Sequence, residues 1–253
     1  MWTRSELKFR AKEVLQAHRW AIVAVCFIWM IVNSIGSSSS SSSSLNETNN
    51  AAMGQNNYMQ QFDLSNPMNK VLLSVMVFAM IFSLLLTIFI KGPFEVGVEK
   101  FFLSAREDDA EVRYIGYGFT NNYIRNVATM FFRNLYVFLW SLLFIVPGII
   151  KGYEYRMIPY ILAENPDITR EQAFQLSKKM MDGEKWNAFI LDLSFILWWI
   201  GSIFTCFILA IFHVIPYVYC TNAELYVELK NNLVANDSEA AQLLGYSKEE
   251  VIY

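Results

Sequence analysis

Asp192 lies six residues beyond Trp186, inside an apolar stretch that runs from about Ala188 to Tyr219. On a helix this places it about 9 Å past the tryptophan. An ionisable group at such depth is costly in lipid and is a functional candidate by default. Lys151, Glu154 and Arg156 pose the same problem in the segment IIKGYEYRMIPYILA, where they interrupt a second apolar block. These four residues are expected to face protein or a water-filled cavity. Together they form a candidate polar cavity able to hold a small solute or ion. The structural alternative is that Asp192 pairs with Lys185, Arg156 or backbone donors and fixes helix packing.

A second constellation lies just upstream. Residues 167–183 read as an amphipathic helix that Asp167 or Thr169 could cap, with Ala173, Phe174, Leu176, Met180 and Met181 on its apolar side. Lys178, Lys179, Lys185 and Trp186 cluster at its end, where cations and an indole suit anionic lipid headgroups or a partner protein. The plainer account is an interfacial helix held by its apolar area. Tyr153, Tyr155, Tyr160, Tyr217 and Tyr219 fit an aromatic belt better than a stacking platform. Ser194, Ser202 and Thr205 suit helix packing.

Other chemistries lack residues. The cysteines Cys26, Cys206 and Cys220 have no metal-ligand spacing, and an odd count suits no disulfide framework. His18 and His213 belong to no metal motif, and no phosphate loop, dinucleotide fingerprint or G-x-S-x-G is present. No cofactor, metal or nucleic acid is expected, and the net charge of −3 provides no global basic field.

The elements that must position these residues are membrane helices. Hydrophobic residues make up 55% of the 253-residue chain and charged residues 17%, and the apolar ones are clustered. Residues 1–19 form a basic amphipathic helix that Thr3 or Ser5 could cap, followed by a first span from Trp20 to Ile35. Gly36 opens a low-complexity loop, 36–69, containing eight consecutive serines and the sequon Asn46-Glu47-Thr48. Val71–Ile90 is an uninterrupted 20-residue span that Lys91-Gly92-Pro93 then breaks. Residues 94–127 are amphipathic. The block from Ala128 to Ala163 is divided by Pro147-Gly148, the expected turn of a hairpin. The final block is long enough for two joined spans. Residues 1–232 read as one membrane domain and 233–253 as a polar cytoplasmic tail, with a short helix from Ser238. Lys and Arg concentrate in residues 1–19, 91–127 and 164–187, and only Lys70 lies in the serine loop. The positive-inside rule then predicts both termini in the cytoplasm. The expected fold is all-α, a polytopic bundle of about six membrane-embedded helices with a Pro-Gly hairpin between the third and fourth.

The strings PGIIK, Y-x-YILAENP, SKKMM-x-G-x-KW and L-x-LSF, with Pro216-Tyr217, Ala223 and Tyr226, resemble an uncharacterised family of small bacterial membrane proteins, domain of unknown function 975. The resemblance spans roughly residues 5–35 and 70–230. The serine run is not a family feature, and Leu197 stands where a glycine is expected. The resemblance implies a six-helix integral membrane protein of the bacterial plasma membrane and brings no activity. A looser architectural similarity extends to the membrane domain of some glycerophosphodiester phosphodiesterases. Phe89-x-x-x-Pro93-Phe94, leading to Glu99 and Phe102, is also echoed by Phe212-x-x-x-Pro216-Tyr217, leading to Glu224 and Tyr226. Such an echo suggests two related three-helix halves. The leading expectation is a non-enzymatic protein that meets lipid headgroups or another membrane protein through its basic cytoplasmic face. The alternative is a small-solute or ion transporter or channel using hairpin 147–163 and Asp192.

Overall fold

The structure is a computed structural model that describes residues 2–34, 67–205 and 207–246. The serine loop and its sequon, and Cys206, lie outside them. The chain is all-α, 85% helical, with no strand among the described residues. The helices are α1 (Arg4–Ala17), α2 (Arg19–Ser34), α3 (Pro67–Leu86), α4 (Gly92–Arg106), the short α5 (Tyr117–Thr120), α6 (Tyr123–Leu143), α7 (Ile145–Glu154), α8 (Ile158–Glu164), α9 (Arg170–Met180), α10 (Lys185–Leu193), α11 (Ile196–Phe204), α12 (Ile215–Asn236) and α13 (Ser238–Leu243).

Local chemistry explains the starts. The Thr3 hydroxyl accepts from the Glu6 amide and caps α1. Thr169 and Gln172 form a capping box at α9. Asp237 caps α13. Leu7, Ala11 and Leu15 recur every four residues and bury one stripe of α1, which packs on α12. The chain then bends by 98° into α2.

The helices sort into two zones. In the first, Phe101, Phe102, Ile161, Leu162, Leu176 and Tyr226 are almost wholly buried, joining α4, α8, α9 and α12 in one core with α1. In the second, large apolar side chains are exposed on the outer surface. No residue of α3 is buried. Phe138 to Val146 at the α6–α7 tip, and Leu197 to Ile200 with Phe204 and Phe207 around the end of α11, are exposed. An apolar surface of that extent calls for lipid.

Among the described residues, two helical stretches are long and apolar enough to cross a membrane, Pro67–Arg106 and Lys185–Phe204, or three if the bent α1–α2 pair is one span. The described residues thus carry two to three candidate spans where six embedded helices are expected. The physical reason is visible in the hairpin. Arg125 and Arg133 dilute α6, and the ten residues of α7 reach only about 15 Å into a core about 30 Å thick.

Three boundaries differ from the sequence reading. Lys91-Gly92-Pro93 does not end a helix: a π-helical turn, Thr87–Lys91, absorbs the proline and α3 runs on into α4. The hairpin turn is not at Pro147-Gly148 but at the extended residue Phe144. Pro147 sits in the first turn of α7, where no intrahelical donor is needed, and Gly148 lets α7 close on α6, since a Cβ there would overlap Ser141. Finally, α12 runs through the expected tail boundary to Asn236, and α13 returns onto it, burying Ala240 and Ala241.

Candidate functional site

Arg156 lies in the turn between α7 and α8, and its planar guanidinium forks onto Asp192 of α10. Nη1 donates to Oδ2 at 2.8 Å and Nη2 to Oδ1 at 2.9 Å. Nη2 also donates to Asn222 Oδ1 of α12 at 2.7 Å, and the Tyr153 hydroxyl donates to Asp192 Oδ2 at 2.8 Å. Asp192 therefore has a partner in Arg156, one of those the structural alternative named, and this bidentate geometry is the strong form of the interaction.

Lys151 and Glu154 do not join that pair. Glu154 is buried and accepts from Lys151 Nζ at 2.8 Å and Lys185 Nζ at 3.3 Å. The four residues expected in one polar cavity thus split into two clusters. Ser177 closes the second by donating to the Glu154 carbonyl at 2.8 Å, tying α7 to α9.

Arg156 lines a cavity of about 460 Å³ among α2, α4, α6, α8, α11 and α12, with Glu95, Glu99, Arg133, Asn222, Trp29 and Tyr219 among its walls. It also lines a neighbouring groove of about 410 Å³ between the hairpin legs, with Ser141, Gly148 and Tyr153. In the cavity, Arg133 Nη1 donates to Glu95 Oε1 at 2.7 Å. Glu99, one turn further along α4, is 5% exposed and its Oε2 has no hydrogen-bond partner. The walls are stiffened by stacking: Trp29 on Phe94 at 5.6 Å, Tyr219 on Phe102 at 5.1 Å and Tyr160 on Tyr226 at 5.1 Å. Trp29 Nε1 donates to the Tyr219 hydroxyl at 2.5 Å. Tyr160 and Tyr219 thus serve a cavity wall as well as any belt.

The sequence reading misses Glu95, Arg133 and Asn222 and meets Glu99 only through the Phe-x-x-x-Pro echo. One signal was available. Glu95 and Glu99 are four apart after Pro93, so they share a helix face, and Arg133 breaks the apolar run Met130–Leu143 as plainly as Lys151 breaks its own.

The basic face is largely occupied. Lys179 Nζ pairs with Asp237 at 2.8 Å, which raises the lysine's affinity for its proton and holds the Asp237 carboxyl below the usual carboxylate range. Lys185 serves Glu154, Arg106 Nε stands 2.9 Å from the buried Glu224, and Arg10 reaches Glu228 at 2.7 Å. Arg125 donates to the Pro166 carbonyl at 3.1 Å. Lys178 and Trp186 are exposed, the indole by 68%. Cys26 and Cys220 are buried free thiols. No group of three His, Cys, Asp or Glu able to hold a metal occurs among the described residues.

Residues 142–233 match the family model described as Protein of unknown function (DUF975). The resemblance read from the sequence strings is borne out over this segment. The DUF975 segment contains Arg156, Asp192 and Asn222, while Glu95, Glu99 and Arg133 lie outside it. The looser similarity to the glycerophosphodiester phosphodiesterase membrane domain finds no support. No curated protein and no solved structure matches the chain.

Proposed function

We propose that the protein is a non-enzymatic, multi-pass protein of the bacterial plasma membrane that holds a small solute or ion in the cavity beside Arg156 and passes it across. The observation that carries this reading is the position of Arg156, which lines both the cavity and the hairpin groove while bonded to Asp192 and Asn222. A charged solute can compete for those bonds, so the ion pair works as a barrier between two compartments. The core that joins α1, α4, α8, α9 and α12 supports about six embedded helices with both termini on one side. There α1 meets α12 through Arg10 and Glu228, and α9 meets the cap of α13 through Lys179 and Asp237. By the distribution of Lys and Arg, that side is the cytoplasm.

Purified protein in proteoliposomes is expected to move one member of a panel of small charged solutes, and Arg156→Gln and Asp192→Asn to change the rate at least tenfold. Flux that survives both substitutions removes the pair from the pathway. Cysteine labelling at Leu45→Cys, Ala110→Cys, Asn165→Cys and Ala235→Cys is expected to mark only position 45 from outside. A second reading, contact with anionic lipid headgroups, is favoured by the exposure of Lys178 and Trp186. Native lipid retention is the readout. Lys178→Glu with Trp186→Ala is expected to lower the anionic lipid co-purifying with it.

A further inference from the structure

The cavity wall leaves one buried carboxylate oxygen that its own residues do not satisfy. Its lining carries the carboxylates Glu95 and Glu99 and the guanidinium groups Arg133 and Arg156, and Arg156 also serves Asp192, which lies outside the lining. Arg133 is committed to Glu95, and Arg156 to Asp192 and to the Asn222 carbonyl oxygen. Glu99 is left over. It is 95% buried by its 5% exposure, lines the cavity, and leaves Oε2 with no hydrogen-bond partner. Lys151 and Lys185 are spent on Glu154, outside the cavity lining.

A buried polar atom without a partner costs free energy, more so when it carries charge. A ligand that supplies the missing positive charge recovers that cost. The wall suits such a ligand, because Trp29, Tyr160, Trp199 and Tyr219 all line the same space. Aromatic rings attract cations through their quadrupole, and together with a carboxylate they recognise ammonium groups. The volume of about 460 Å³ lies within the range of small-molecule sites.

We infer that the cavity binds a small organic monocation, a primary or quaternary ammonium, with Glu99 as its counter-charge and the Trp29–Tyr219 pair as its aromatic wall. This rests on the solute-binding reading above and names the class of solute.

The test is binding of tetramethylammonium and ethylammonium to the full chain in detergent, followed by tryptophan fluorescence and calorimetry. Acetate and phosphate serve as anionic probes. The wild type is expected to bind one of the cations and neither anion. Glu99→Gln is expected to weaken cation binding at least tenfold while the melting temperature is unchanged or higher, since the amide cannot take on the charge that a bound cation needs. Glu95→Gln, whose carboxylate already serves Arg133, is expected to weaken binding less than Glu99→Gln. Trp29→Leu is expected to weaken the quaternary probe more than the primary one. Cation binding that is equal in wild type and Glu99→Gln overturns the inference, as does selective binding of an anion, which would leave the solute-binding reading standing. If no probe of either sign binds, both fall. Cation binding without flux in proteoliposomes supports this inference and removes the transport step alone.

Discussion

Helices α4 and α12 begin in the same way and end in different chemistry. Each follows a five-residue π-helical turn, Thr87–Lys91 or Ala210–Val214, and each carries a proline in its first turn. The Phe-x-x-x-Pro echo in the sequence is therefore repeated in backbone form. Counted from the prolines, the equivalent of Glu99 is Asn222, six residues on, and both line the cavity. Glu224, which the sequence pairs with Glu99, instead sits beside Arg106 and outside the cavity lining. Four residues past each proline stand Gly97 and Cys220. One helix thus brings a carboxylate with one unsatisfied oxygen and a bare backbone, and the other a neutral amide already bonded to Arg156 and a buried thiol. A shared backbone device sets where a side chain points, and the residue placed there decides whether the position is structural or free to meet a ligand.

The largest effect that separates the two helices is expected at their small residues. A Cβ on Gly97 would overlap the Ile115 carbonyl, a backbone atom that cannot swing aside. Gly97→Ala is expected to cost about 3 kcal/mol, against about 1 kcal/mol for Cys220→Ala, which only removes buried volume. Thermal unfolding in detergent compares them, and equal losses would show that the two positions are packed alike. Next comes Arg156→Gln, which takes the guanidinium from Asp192 and leaves the Asn222 side-chain oxygen without its donor. A loss of roughly 2–3 kcal/mol is expected. Asn222→Asp sharpens the comparison by giving α12 its own carboxylate. It is expected to cost about 1 kcal/mol, because the added charge joins Asp192 and Glu99 in a confined space, and to tighten cation binding several-fold.

These contrasts also show what could be read from sequence. The α3 span is legible because nothing polar interrupts it. The α9 cap is legible because Thr169 and Gln172 are three residues apart. The hairpin turn was misplaced by three residues because proline suits a helix's first turn as well as a loop, and Gly148 does a packing task that only the facing Ser141 reveals. The basic face looked free because its partners are remote in sequence: Asp237 is 58 residues from Lys179, and Glu154 is 31 residues from Lys185. Glu99 is an ordinary glutamate in sequence, and its burial depends on α2 and α12 closing over α4.

The smallest expected effect is at the chain end. Lys179 holds the Asp237 carboxyl below its usual range, and Asp237 also caps α13. A depressed carboxyl adds stability that is present above the unfolded value, about 3.9, and is lost as pH falls through the folded one. Hydrogen exchange of α13 is therefore expected to be insensitive to pH near neutrality, once the intrinsic exchange rate is divided out, and to quicken below about pH 4. Lys179→Ala is expected to quicken exchange already near neutrality and to flatten its dependence on pH below about 4.

The stripe Leu7, Ala11 and Leu15 of α1 rests on α12, and the Tyr217 hydroxyl donates to the Lys8 carbonyl at 3.2 Å, joining residues 209 apart in the chain. During synthesis α1 emerges with its apolar stripe and waits for α12, some two hundred residues later. Their contact closes only after that helix is made, so nascent chains arrested before α12 should hold α1 against chaperone or lipid, and release it once residues 215–236 leave the ribosome.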